Sequence, residues 1–148
     1  MNAATPTARV TAVQEDIVRI EIDDREGARL VKNEVVYILP TQPSRSGVQE
    51  RLEAEVLRVR GATADAQVFE STEGVGIGDP VEQTGQMLSV SLGPGLLGSV
   101  YDGMRNPLEQ LAQRHGVFLP RGDKIAGLDQ AAKWSFTATA RSGAKLTG

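Results

Sequence analysis

The run Gly93-Pro94-Gly95-Leu96-Leu97-Gly98 has the G-x-G-x-x-G spacing with which a glycine-rich turn brings backbone amides up to a dinucleotide pyrophosphate. That chemistry needs a helix opening inside the motif, so that its first N–H groups face the phosphates. Ser99 to Gly103 carries no helical periodicity, and Pro94 removes a donor. The run therefore reads as a structural bend, in which Gly93, Pro94, Gly95 and Gly98 let the chain leave one unit and enter another.

The other chemistry-bearing residues are weaker still. A phosphate loop of the G-x-x-x-x-G-K-[ST] kind occurs nowhere, and Ser142-Gly143-Ala144-Lys145 only echoes it. His115 is the sole histidine and has no second ligand at metal-binding spacing, so it reads as a cation in a last helical turn. Arg121-Gly122-Asp123 reads as a turn. The acid pairs Asp23/Asp24 and Glu53/Glu55 fall in a turn and on the polar face of a strand, where solvated surface is their expected role. No catalytic, cofactor-binding or metal-ligating residue is assigned.

What must carry these residues is mostly strand. Val18, Ile20 and Ile22 alternate with Arg19 and Glu21, after a pattern that starts at Ala8. Asp23 to Gly27 marks a turn, and Val35 to Ile38 is a β-branched and aromatic run that Pro40 ends. Thr41 to Gln49, with Pro43 and Gly47, reads as a loop. Leu52, Ala54 and Val56 alternate with Glu53 and Glu55, then slip phase at Leu57 before Val59, as at a bulge. A turn at Gly61 leads to Ala64, Ala66 and Val68, and Leu88, Val90 and Leu92 alternate with serines.

About six strands at turn-separated intervals predict a mainly β chain built on a small antiparallel barrel, whose closure removes exposed edges. Asn106-Pro107-Leu108-Glu109 predicts a short helix over about 107–115, with Asn106 as cap and Gly116 as its end. Leu108, Leu111 and Ala112 share its apolar face. Val117–Leu119 and Trp134–Thr139 give strand hints beyond it. The organisation expected is a barrel over 1–92, a glycine-rich bend and helix over 93–116, and a partial β-rich segment over 117–148.

The chain has 148 residues and no cysteine, which excludes disulfides and thiolate chemistry. Its net charge of -3 gives no field that would draw it to nucleic acid or anionic lipid. Aromatics at 4% are too few for a base-stacking platform. Neither a signal peptide nor a membrane-length apolar run is present.

The run from Gly78-Asp79-Pro80-Val81 through Leu88 to Gly98, then Val100-Tyr101-Asp102-Gly103 and Pro107-Leu108, resembles the catalytic A-type subunit of V-type and archaeal-type ATPases. A second block is similar to the start of that family's bulge insertion: Phe118-Leu119-Pro120-Arg121-Gly122, Leu128-Asp129 and Lys133-Trp134-Ser135-Phe136. The likeness is looser at the N-terminus, where Glu15-Asp16 replaces a Gly-Pro frequent in the family.

The resemblance implies the N-terminal barrel of such a protein, joined to the start of the insertion, with the barrels of A-type and B-type subunits forming a crown. Association through strand edges, including self-association, is expected of it. It implies ATP and Mg2+ as cofactors of the full-length protein but none bound by these residues, no nucleic-acid partner, and no direct membrane insertion. A cytoplasmic place at the periphery of a membrane-bound, proton- or sodium-translocating complex follows. The competing expectation is a stand-alone small barrel that binds a protein or nucleic-acid ligand.

Overall fold

The computed structural model describes residues 8–22, 29–42, 49–117 and 120–145. The expected turn at Asp23 to Gly27, the loop residues Pro43 and Gly47, and Phe118 with Leu119 lie outside these.

Among the described residues, six strands form the fold: β1 (Ala8–Gln14), β2 (Ile17–Ile22), β3 (Glu34–Ile38), β4 (Leu52–Arg60), β5 (Thr63–Val68) and β6 (Pro80–Met87). All neighbours are antiparallel, and the order β1-β2-β5-β4-β3-β6 closes into a barrel. The alternation seen in sequence sets which side chains point inward. Val18 and Ile20, Val36 and Ile38, Leu52, Ala54 and Val56, and Ala64 and Ala66 all meet in one buried core. Three of these are alanines on β4 and β5, and small residues suit the taper of a narrow barrel. Each larger side chain buried there contributes about 1.5–3 kcal/mol.

The phase slip at Leu57 is a bulge: the β4–β5 register shifts between Val56 and Arg58. Leu57 is left pointing to solvent, while Val59 returns to pack against the core. A second irregularity lies between Glu34 and Val36, opposite β6. Glu34, 2% exposed, is tied there by accepting the Val31 and Gly85 amides at 3.0 and 2.9 Å.

Barrel closure is thinnest between β1 and β6, which pair only at Ala8–Val81 and Arg9–Pro80. Asp79 reinforces that seam. Its backbone carbonyl accepts the Val10 amide at 3.0 Å, while the Gly78 amide donates to Val10 at 2.8 Å. One carboxylate oxygen accepts both the amide and the hydroxyl of Thr41, at 3.0 and 2.7 Å, and the other accepts the Gly76 amide at 2.7 Å. A single buried carboxylate thus fastens two loops to the start of β6.

Three expectations are corrected. The sixth strand is not Leu88 to Leu92 but Pro80–Met87, whose Glu82, Gln83, Thr84 and Gln86 disguise it in sequence. Met87 already lies opposite Glu34, the first residue of β3, so residues 88–92 have no ladder to join and Leu88, Val90 and Leu92 stay exposed. Trp134–Thr139 likewise forms no strand, and Val117 sits in a turn.

The helix α1 spans Leu108–His115 and ends at Gly116, yet Asn106 does not cap it. Its amide side chain donates to Asp102 at 3.0 Å and accepts the Ile125 N–H at 2.8 Å. Of the predicted apolar face only Leu111 is buried. No helix among the described residues is long and apolar enough to cross a membrane.

Replacing Asp79 with alanine removes three charge-assisted hydrogen bonds from a buried seam, and should cost about 3 kcal/mol. Urea unfolding followed by far-UV circular dichroism measures it; a loss below about 1 kcal/mol would show that β1–β6 pairing holds without this carboxylate.

Candidate functional site

After β6, residues 101–117 and 120–128 act as a strap over the outer face of the barrel, with side chains that reach Tyr37, Glu50 and Glu53. Outward positions on a barrel are ordinarily solvated, so whatever the strap covers changes character.

Glu53 shows this most clearly. It points outward from β4 yet is 3% exposed, which corrects the expectation that both Glu53 and Glu55 are solvated. A buried carboxylate costs several kcal/mol of desolvation unless it is paired. The strap supplies two cations: Arg105 donates to one carboxylate oxygen at 3.2 Å, and Lys124 to the other at 2.5 Å.

Local structure aims Arg105. Asp102 accepts the Met104 and Asn106 amides at 2.9 and 2.7 Å, folding residues 102–106 into a tight loop in which Arg105 takes a left-handed backbone, φ 68°. Arg105 also donates to the Ser89 carbonyl, tying down the segment that follows β6. Beside this cluster, Tyr37 lies between two cations, with the Arg51 guanidinium 3.4 Å and the Lys124 ammonium 5.8 Å from its ring centroid. Arg51 also pairs with Glu82 at 2.9 Å.

A second anchor lies at Arg121. Its guanidinium donates to the Glu50 carboxylate and, at 2.6 Å each, to the carbonyls of Ser71 and Glu73. The next residue, Gly122, has φ +74°, and a Cβ there would stand 2.9 Å from the Arg51 backbone nitrogen. Only glycine fits both the conformation and the approach. Its amide donates to Glu70 at 2.9 Å. Burial pushes the Glu70 carboxyl above its ordinary range, against the opposing pull of the Gly122 amide and of Arg121. The Arg121-Gly122 turn expected from sequence is thus present, and it is a docking element.

His115 closes the strap on itself. Its ring nitrogen is 2.5 Å from Asp123, and Arg114 reaches the same carboxylate at 3.3 Å. The hydrogen bond from His115 is the main reason the Asp123 carboxyl is held below its ordinary range, with Arg114 adding to it. The sole histidine is therefore a bridge from the helix end to the turn at 121–123.

The glycine-rich run takes a related part. Pro94–Leu96 forms one 3-10 turn, and no α-helix opens there to present amides to a phosphate. Gly93 is extended, at φ −174°, so its backbone would accept other residues. A Cβ on Gly93 would meet Leu128 at 3.0 Å, and one on Gly95 would meet Leu128 at 3.0 Å and the Trp134 ring at 3.1 Å. Gly98 differs, with φ +81° and open space around it. The two blocks singled out in sequence are in contact, the first forming a seat for Leu128 and Trp134 of the second.

The acid pair Asp23/Asp24 lies outside the described residues. Among the described residues, no group of three or more His, Asp or Glu could hold a metal ion. Sequence reasoning missed Arg105, Lys124 and Glu50 and read Arg121 only as part of a turn, because isolated charges give no spacing signal; only Glu53, an acid on a strand flanked by core residues, could have hinted at a covered face.

A family model for the β-barrel domain of the ATP synthase alpha/beta family matches residues 15–85. The chain is 54% identical over 97 residues to the V-type ATP synthase alpha chain of Treponema denticola, covering 66% of this chain and 16% of that protein. It is 44% identical over 135 residues to the V-type ATP synthase alpha chain of Borrelia turicatae, covering 91% of this chain and 22% of the relative. With V-type ATP synthase alpha chain 1 of Treponema pallidum it shares 58% identity over 87 residues. The chain spans only 15–22% of the length of these three relatives.

Two outcomes test the site. Because the Gly95 backbone permits alanine, Gly95→Ala should act by displacing Leu128 and the indole of Trp134, the sole tryptophan, and shift its fluorescence to the red. Gly98→Ala should instead cost about 1 kcal/mol of stability through its backbone and leave the emission unchanged. An unmoved emission in Gly95→Ala would mean that the seat is not occupied.

The second concerns Glu70. A carboxyl whose folded pKa is raised contributes stability below its unfolded value and loses it as pH rises through the folded value. Glu70→Gln keeps an oxygen for the Gly122 amide and never ionises. It should be more stable than the parent at pH 7, with the gap closing below pH 4.5, the unperturbed value. Urea midpoints at pH 7 and pH 4 measure this, and a variant less stable at pH 7 would show that the ionised carboxylate is needed.

Proposed function

The chain belongs to the ATP synthase alpha/beta family, whose barrel domain it carries, and from that premise we propose that it serves as the non-catalytic assembly module of an A-type rotary ATPase polypeptide. The observation that carries this reading is the closed barrel with a charged strap fixed across one face. The 148 residues contain no phosphate loop, and the buried Glu53 and largely enclosed Glu50 are spent on holding strap to barrel.

In this role the barrel joins A-type and B-type neighbours in a ring, while the strap sets how the polypeptide leaves it. The six strands close into a barrel whose β1–β6 seam pairs at only two positions, so contact with a neighbouring barrel runs through side-chain faces and along that short seam. ATP and Mg2+ belong to the full-length protein, whose work is ATP-driven ion transport or ATP synthesis at the cytoplasmic periphery of a membrane complex. Bend residues Gly93, Pro94, Gly95 and Gly98 serve as the seat and exit from the barrel.

Purified chain should show no Mg2+-dependent ATP hydrolysis above a no-protein blank, and should co-elute on size exclusion with the barrel of a B-type partner. Turnover that rises with chain concentration, or failure to associate with both A-type and B-type barrels, would refute the assignment.

A further inference from the structure

Between the barrel face and the strap lies a cavity of about 530 Å³. Small-molecule sites typically run from about 300 to 1,000 Å³, with apolar walls and a few convergent polar groups. Its apolar walls come from Met87, Leu88 and Val90 on one side and Leu96, Met104 and Leu128 on the other. Met87, Leu88 and Val90 remain substantially exposed to solvent, so the chain leaves apolar surface uncovered where it already forms a concavity.

The polar groups fix what sign of ligand fits. Arg105, Lys124 and Glu53 all line the cavity, two cations against one carboxylate. Both oxygens of Glu53 are occupied and the residue is buried, so it cannot receive the ammonium of a cationic ligand. Lys124 has three donors; one is given to Glu53, another reaches the Tyr37 hydroxyl only at 3.4 Å, and its side chain is 46% exposed. Arg105 has five and gives one to Ser89 and one to Glu53. Spare donors of positive sign thus line a space whose walls are mainly apolar.

We propose that this cavity binds a small amphipathic organic anion, an aliphatic carboxylate whose charged end meets Lys124 and Arg105 while its chain lies along Met87, Leu88, Met104 and Leu128. The contact would stabilise the strap, because the ligand touches both strap and barrel. This goes beyond the assembly role and does not rest on it.

Decanoate is the probe, compared with decan-1-ol and decylamine on the 148-residue chain by methionine-methyl NMR titration. Decanoate should bind about tenfold more tightly than either, as a charge-assisted contact predicts. Met104→Trp, which fills the cavity without changing charge, should abolish the shifts, and Lys124→Gln should remove the preference for decanoate over decan-1-ol. The proposal fails if decanoate does not bind, if the three probes bind alike, or if Met104→Trp binds decanoate as the parent does. Circular dichroism of each variant, matching the parent, establishes that loss of binding is not loss of fold.

Discussion

A carboxylate on the outside of a barrel strand has no reason to be buried unless something needs it there. Glu53 is such a group, and the arrangement after β6 depends on it. Arg105 and Lys124 are far apart in the strap, and each reaches a different oxygen of the same carboxylate. A strap held by apolar packing alone could slide along the sheet; two cations meeting one buried anion admit a single register. Removing both cations would leave the buried Glu53 carboxylate uncompensated, which typically costs about 3–5 kcal/mol, whereas removing one leaves the other paired with it. The pair is therefore better understood as fixing position than as adding net stability.

Around that point the remaining charges are graded by burial. Arg121 with Glu50 is mostly enclosed and bonds two backbone carbonyls besides, so it holds the far end of the strap. Arg114 with Asp123 is open to solvent and contributes little by itself, as exposed pairs do. His115 converts it into a link between helix and turn. Basic strap facing acidic barrel is the common theme, although the chain as a whole is acidic.

The barrel was legible in sequence because its physics is local. Period-two alternation at Val18–Ile22 and Leu52–Val56, and the slip at Leu57, follow from the pleat and reappear as inward-facing core and a bulge. What was not legible depends on partners distant in sequence. Leu88, Val90 and Leu92 have the alternation of a strand and lack a neighbour, whereas the polar β6 is a strand because β1 and β3 flank it. Asn106 has the right type and spacing for a cap, but its side chain is drawn to Asp102 and Ile125. For the same reason the family likeness located the blocks at residues 93–98 and 118–136 without indicating that they touch.

The turn between β1 and β2 shows how a departure from the family pattern is accommodated. Glu15 holds φ 55°, a conformation that glycine adopts freely and that costs another residue about 1–2 kcal/mol. Where the family frequently has Gly-Pro, this chain accepts that strain and compensates locally. The Glu15 carbonyl accepts the Thr72 hydroxyl at 2.5 Å, the Asp16 carbonyl accepts the Val68 amide at 2.8 Å, and the Asp16 carboxylate accepts the Gln67 side-chain amide at 2.8 Å. The turn is thereby stitched to β5 and to the loop after it, on which Arg121 also draws through Ser71 and Glu73. The β1–β2 turn and the Arg121 anchor of the strap thus bond one loop, residues 71–73.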